Sequence, residues 1–442
     1  MNKVLAIAGI AMRNAVRSRV VAVLLLLLLV AILALPLTIK GDGTLTGAVQ
    51  VLLRYTLGAV TIILSVATLW AGCAAIATEI QDRQVHLIVT KPVHRLELWL
   101  GKWLGLVALN AVLLTLAGGV TYGLLRWNLR PERLAAREQQ QLREEILVAR
   151  RRVRPDPFPI EETAQKIFTD QQRRGELPAH QPADQVLEAI RQTLTRQANS
   201  IPPGFAVRYV FRLPRLPAAD RPLILRYKFA SSATDNNPVA CMLVAGAPDR
   251  PDRMQREEFT APGGVHSVAI PRALLAADRT LTVDIANIDP RPVTMVFTPG
   301  EGVELLAYEG TFAGNLARAL LVTLCQLGFL AALGVTLGSL FSLPVAALAA
   351  GYVVLLTNLG PYLKTLATGG DAHWPLRGVY VGLYWVSQPF QTPSALEALA
   401  TGELVSGWWV GSAVLWQVIV SAGVLATLGA WLFNRRELGL PA

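Results

Sequence analysis

Long apolar runs set the strongest limit on what this chain can fold into. Val20–Leu37, Leu57–Thr78, Leu100–Leu125, Leu316–Leu337 and Val410–Phe433 each supply roughly the 20 residues of helix needed to cross a hydrocarbon core. A sixth run, Leu343–Tyr362, is interrupted near its end by Asn358, Gly360 and Pro361. Inside a bilayer every backbone polar group must be satisfied within the segment, so helices are the form expected for such runs. Composition agrees, with 16% charged residues where soluble domains carry roughly 25%. Gly378–Val386 is apolar but too short to cross, and reads as interfacial or re-entrant.

The first run has the basic start and apolar core of a secretory signal. Its core is longer than usual, however, and no small-x-small cleavage site follows. L-P-L-T-I-K-G-D-G reads as a span ending in a turn, so a retained span is expected. Cys73, Cys241 and Cys325 form no C-x-x-C, and two of them lie inside apolar runs. They read as small buried residues, without a disulfide framework or metal site.

Between the third and fourth runs lies a polar block, Trp127–Glu309. Its first part, Pro131–Asn199, is rich in Arg, Glu, Gln and Ala and reads as helices. The first is expected to start at Pro131 and carry a thin stripe of Leu134, Leu142, Ile146 and Val153, before P-D-P-F-P at 155–159 breaks it. Further helical patterns run over Glu161–Arg173 and Ala183–Ala198. From Phe205 to Phe297 the period changes to two: Val207, Tyr209 and Phe211 alternate with arginines, and Leu281, Val283 and Ile285 repeat the pattern. Turn clusters such as T-D-N-N-P and A-P-G-G separate the strands, which predicts an antiparallel β-sandwich.

Charge near the span ends predicts sidedness. The amino-terminal tail, the 78–102 connection and the carboxyl tail carry ten Lys and Arg, and the short loops on the opposite side carry four. This places both termini and the connection in the cytoplasm and the block outside. Arg126, Arg130 and Arg133 weigh against that assignment, though a large domain can translocate despite its charge. The block holds 25 basic and 23 acidic residues, so the net charge of +10 comes mostly from inward-facing membrane ends rather than from a nucleic-acid surface. Trp99, Trp103, Trp127, Trp374, Trp385, Trp408 and Trp409 fall near predicted span boundaries and are expected to form aromatic belts.

The connection itself is unusual. Ordinary loops carry turn residues, but this one places Glu79, Asp82, Arg83, Lys91, Arg95, Glu97 and Lys102 among helix formers. The stretch I-A-T-E-I-Q-D-R-Q-V-H-L-I-V-T-K-P-V-H-R-L-E-L-W-L-G-K resembles the cytoplasmic hairpin of permease subunits of type-2 ATP-binding-cassette (ABC) transporters. The matching features are an acidic residue closing span two (Glu79), the turn Thr90-Lys91-Pro92-Val93 with Arg95 and Glu97, and Gly101-Lys102 opening span three. The ending W-L-F-N-R-R-E-L, six spans and an amphipathic leading helix (Ile7–Arg19) are similar to that family too. The resemblance covers about 250 membrane residues and not the block 127–309.

The resemblance implies an α-helical polytopic membrane protein with six transmembrane helices. A large extracytoplasmic α+β insertion, a helical arm plus an antiparallel β-sandwich, stands between spans three and four. It divides as follows: a leading helix at 1–19, spans one to three at 20–126, a helical segment at 127–204, the sandwich at 205–309, spans four to six at 310–434 with an interfacial segment at 374–400, and a cytoplasmic tail at 435–442. Implied partners are a separate ATP-binding subunit, a second permease copy and membrane lipid, at the cell's inner membrane. The implied activity is export of an unidentified, apolar cargo. A second reading is ATP-driven force transmission to extracytoplasmic partners, protein or glycan, with nothing crossing the bilayer. A third is a membrane-anchored sensor.

Physically, a helix lying across the cytoplasmic face can seat in a groove of an ATPase. Glu79, Asp82, Arg83, Arg95 and Glu97 would set its register, Leu87 with Ile88 and Val89 would fill the groove, and Pro92 would break the helix and fix the turn beside Lys91. The plainer reading is a solvated loop with helix caps. No phosphate-binding G-x-x-x-x-G-K-[ST] occurs, so ATP hydrolysis is expected on the partner, and no cofactor is expected. No catalytic constellation stands out. Asp284, Asn287 and Asp289 read as turn residues first and a cation site second. Arg54 and Arg318 are expected to snorkel. Asn110, Thr115, Gln326, Asn358 and Gln417 either line a path or bond between helices.

Overall fold

The structure is a computed structural model that describes residues 2–38, 45–82, 94–128, 148–175, 182–216, 221–233, 235, 237–247, 251–300, 302–358, 362, 376, 378–381 and 395–435. The chain divides into two compact units, Met1–Ala149 with Thr311–Ala442, and Arg150–Gly310.

The first unit is helical. Its elements are α1 (Asn2–Arg17), α2 (Arg19–Thr38), α3 (Leu45–Gln81), α4 (Arg95–Asn128), α7 (Phe312–Leu340), α8 (Leu343–Asn358), α9 (Ala395–Ala400), α10 (Gly407–Ala413) and α11 (Ala422–Arg435), with a π-helical stretch Val414–Ser421 joining the last two. Among the described residues four helices are long and apolar enough to cross a membrane: Val49–Gln81, Arg95–Trp127, Phe312–Leu340 and Gly407–Leu432. The pair α1 and α2, bent by 73°, makes a fifth if counted as one span, and α8 is shorter. The five clear apolar runs of the sequence are helical, and α8 holds the described part of the sixth.

Helix α7 is the hub. Of its apolar window 72% is buried, against 39% for each of α3 and α4 and 28% for the last helix. Small residues let backbones meet there. A Cβ added at Gly338 would lie 2.2 Å from the Cys73 carbonyl oxygen, and one at Gly334 would lie 2.9 Å from that of Leu69. Such glycine seams are the packing expected where lipid removes the hydrophobic drive between helices. Polar bonds then pin the helices. Thr68 Oγ1 donates to Asn110 Oδ1 at 2.9 Å, Asn315 Nδ2 donates to the Glu403 carbonyl, and its Oδ1 accepts from Val405 N. Asn110 is therefore an interhelical anchor.

These contacts also fix the helix directions. Leu69 meets Gly334 and Cys73 meets Gly338, so α3 and α7 run parallel. Trp103 meets Gly328 and Trp99 meets Thr336, so α4 runs the other way. Asn315 meets Val405 and Thr336 meets Leu425, so the last helix again parallels α7. One end of the bundle thus gathers the end of α3 with the start of α4. The other gathers the end of α4 with the start of α7.

One expectation is corrected here. Trp99 is 3% exposed, stacks on Trp103 at 6.2 Å, and donates Nε1 to Thr336 Oγ1 at 3.2 Å. Trp103 Nε1 donates to the Gly328 carbonyl at 2.8 Å. Both indoles find partners on α7, so they pack between helices and do not form a belt. Arg54, well exposed, pairs with Glu397 of α9 at 3.2 Å.

The second unit builds sheets around one core. Its elements are β1 (Val148–Val153), α5 (Ile160–Arg174), α6 (Ala183–Ala198), β2 (Ser200–Ile201), β3 (Ala206–Arg212), β4 (Leu223–Tyr227), β5 (Phe229–Ser231), β6 (Val239–Ala245), β7 (Met254–Thr260), β8 (His266–Ile270), β9 (Thr280–Asn287), β10 (Met295–Phe297) and β11 (Val303–Thr311). The strand orders are β1-β11-β4-β8, β2-β10-β5 and β3-β9-β6-β7. Strands β3 and β9 pair antiparallel with Tyr209 opposite Val283, and β4 pairs with β8 with Leu225 opposite Val268. Alternate residues of the two four-stranded sheets point into a shared core, which includes Phe211, Leu225, Tyr227, Leu243 and Ile285. Burying each of these contributes about 1.5–3 kcal/mol.

The helix expected from Pro131 to Val153 is overturned at its end. Residues 148–153 form an outer strand of the first sheet, where Arg151 and Arg152 pair with Glu309 and Glu304. Residues 129–147 lie outside the described residues. The sheet unit therefore begins before Phe205 and holds the two helices as well. No loop separates β11 from α7: Thr311 ends the strand and caps the helix, its Oγ1 accepting from Gly314 N at 3.4 Å.

Candidate functional site: the charged end of the helix bundle

The charged connection enters and leaves at one end of the bundle. Helix α3 runs to Gln81, and its last turn is closed by Asp82 N donating to the Thr78 carbonyl at 2.8 Å. Helix α4 starts at Arg95, where the Glu97 carboxylate accepts from the backbone N–H of His94 at 3.0 Å. This is the reciprocal half of a capping box, with the third helical residue satisfying a free amide ahead of the helix. His94 and Glu97 are thus joined by a cap.

Between the two helix ends lies a buried ion pair. Lys102 Nζ donates to Glu79 Oε1 and, at 2.8 Å, to the Ala75 carbonyl. The Lys102 side chain is 4% exposed and that of Glu79 12%. Partners α3 and α4 are thereby stapled one turn inside the charged end. The pair holds because both charges leave water together. Removing one partner would strand the other.

Helix α1 closes the third side. A Cβ at Gly101 would lie 2.7 Å from Ile7 Cβ, and one at Gly105 would lie 2.4 Å from the Ala8 carbonyl oxygen. Glycines four apart give α4 a groove in which α1 lies against the backbone. With Ala11 and Ala15 turned inward, α1 leaves Leu5, Ile10 and Val16 exposed, an outer face suited to lipid. Between α1, α3 and α4 remains a cleft of about 400 Å³, bordered by Asn14, Arg17, Thr78, Glu79, Asp82 and Lys102.

Of the residues singled out from sequence, Glu79, Asp82, Arg95 and Glu97 are described, and they cluster at this end. Arg83, Leu87, Lys91 and Pro92 lie outside the described residues, as does most of 374–400. Asp82 is exposed, while Arg95 and Glu97 are half-buried. Glu79 is engaged inward by Lys102, where sequence reasoning had it reaching outward. Asn14 and Arg17 were not foreseen, and neither was the role of Gly105. The spacing of Gly101 and Gly105 was the available signal.

The arrangement is a joint in which α1, α3 and α4 are fixed to one another, with the exposed Asp82 beyond the buried pair. Among the described residues no group of three His, Cys, Asp or Glu could hold a metal ion. In the sheet unit, Asp284 binds Arg208 at 2.7 Å, and Asn287 donates to the carbonyls of Ile201 and Val293. Asp289 accepts from Arg291 and from Ala240 N, and these bonds hold its carboxyl below the usual aspartate range. Asp284 thus joins two strands, while Asn287 and Asp289 stabilise the turn after β9. The chain matches no protein-family model and no curated protein, and the resemblance noted for its hairpin therefore rests on those residues alone.

Proposed function

We propose that this protein is the membrane-spanning subunit of an ABC transporter, driven by a separate ATPase and paired with a second membrane subunit. The carrying observation is the joint at the charged end, where the Glu79–Lys102 pair and the Gly101/Gly105 contact tie α1, α3 and α4 together. A push on the 82–94 connection would move these helices as one body. ATP binding on the partner would close it against the connection, and the exposed Asp82, with Arg83, Leu87, Lys91 and Pro92, would take the load.

In this reading six segments cross the inner membrane: α2, α3, α4, α7, the Leu343–Tyr362 run that begins with α8, and the Gly407–Leu432 helix. The parallel course of α3 and α7 supports placing the connection and the insertion on opposite sides. The basic ends support a cytoplasmic location for the connection and both termini. The cargo is read as apolar, since charged residues deep in the spans are scarce, and its direction as outward. Force transmission to the sheet unit is the second reading, favoured by the direct passage of β11 into α7.

The test is purification in mild detergent with mass spectrometry and an ATPase assay, comparing wild type with an Asp82→Arg/Arg83→Glu variant. Those positions avoid the cap and the buried pair. A stoichiometric ATP-binding partner, lost from the variant, is the expected result. A wild-type chain that purifies alone without ATPase activity would overturn the proposal. With the partner present, cargo-independent ATPase activity together with movement of the sheet unit would favour force transmission.

A further inference from the structure

A cavity lies within the sheet unit. Its volume is about 420 Å³, within the range of small-molecule sites. Its walls come from the P-D-P-F-P segment after β1, the end of α6 and the β10–β11 turn, where Gly300 takes φ 71°. Three aromatic residues, Phe158, Tyr209 and Phe297, border it. Phe158 meets Tyr209 edge-on at 6.0 Å, and Tyr209 meets Phe297 in the same manner at 6.3 Å.

Tyr209 is 5% exposed and lines this cavity, yet its hydroxyl has no hydrogen-bond partner among the described residues. Burial alone raises its phenol well above the ordinary value, with no hydrogen bond contributing. The hydroxyl opens on the cavity with no protein group among the described residues engaging it, so it is available to an oxygen or nitrogen of an occupant. At the border stands Arg154, exposed and without an ion pair among the described residues, while neighbouring Asp156 is taken by Arg212 at 2.8 Å. An apolar chamber, one available hydroxyl and a cation at the border define the chemistry of an occupant.

We propose that this cavity binds a small organic acid with an aromatic or acyl body. The body packs on Phe158, Tyr209 and Phe297, an oxygen within it bonds the Tyr209 hydroxyl, and its anionic group meets Arg154. Such a site would give the insertion a ligand of its own, independent of any ATPase.

The test uses 4-benzoylbenzoate, a photoreactive acid with a ring body and a carbonyl oxygen. The full chain is labelled in lipid nanodiscs and its peptides are mapped. Label is expected on 154–160 and 297–303, and Thr298→Trp, at the exposed border, should block it. At sub-saturating probe, Tyr209→Phe should cut that label about fivefold, the loss of one hydrogen bond. Arg154→Gln should cut it by a similar factor, and uncharged 4-methylbenzophenone should label these peptides weakly. Unchanged thermal unfolding of Tyr209→Phe shows that packing is kept. Label confined to the spans, or label on these peptides unchanged in both variants, would overturn the proposal.

Discussion

The two units solve one packing problem in opposite ways. In the helical unit backbone approaches backbone, at Gly72, Gly334, Gly338 and Gly105. In the sheet unit large side chains interleave between layers, with Phe211, Tyr227 and Phe229 almost fully buried. The difference follows from the solvent. In water, burying a large apolar side chain is itself the driving force. In lipid that gain is absent, and close approach with a few directional bonds must replace it. Charge is handled in opposite ways too. The pairs described in the sheet unit mostly sit at its surface, as with Arg208 and Asp284. The helical unit hides Lys102 and Glu79.

This contrast can be broken by substitution, and the largest effect is expected at the seam. Gly338→Leu should abolish the folded helical unit, because its Cβ alone would overlap the Cys73 carbonyl. Gly119→Leu, where nothing lies within 4 Å, should be tolerated. Size-exclusion profiles in detergent separate these outcomes. If both behave alike, the seam is not what holds α3 to α7. Next comes Lys102→Met, which leaves Glu79 buried without its cation at a cost of about 3–5 kcal/mol. The double variant Lys102→Met/Glu79→Gln should recover most of that loss in chemical denaturation. A double variant as unstable as the single would show that the lysine matters for something other than pairing.

In the sheet unit, Leu225→Ala should cost about 2–5 kcal/mol through the cavity it opens, read as a lowered unfolding temperature. Acid gives a milder test. Bonds from Arg291 and Ala240 hold the Asp289 carboxyl below its unfolded value, so its contribution is present above about pH 4 and is lost as pH falls below that. Asp289→Asn should flatten the acid limb of the stability profile, and an unchanged limb would assign acid sensitivity elsewhere. The smallest effect is expected for Arg208→Gln. Its pair with Asp284 is more than half exposed on the arginine side and should contribute less than about 1 kcal/mol.

Much of this was readable in the sequence, and the failures share a cause. Ala183–Ala198 and the β9 alternation of Leu281, Val283 and Ile285 announce themselves locally, since period and capping are short-range signals. Strand β1 does not. V-A-R-R-R-V looks like the end of a charged helix until Glu309 and Glu304, some 150 residues onward, supply its partners. Trp99 and Trp103 mislead for the same reason, because Thr336 and Gly328 lie more than 220 residues away. At the candidate site, the charged composition of the connection was plain. That Glu79 turns inward depended on Lys102, 23 residues onward on a different helix. Long-range partners decided each case.

The seam between α3 and α7 also sets a schedule. Its two faces are separated in the chain by the whole of the insertion, so α3 is made well before the helix it packs against. At about 5–20 residues per second, synthesis from Asn128 to Leu340 takes on the order of ten to forty seconds. For that time Gly72 and the backbone around Leu69 and Cys73 face lipid or the insertion machinery without their partner. The hub of the membrane unit is thus supplied late, after α1, α3 and α4 have been able to join one another.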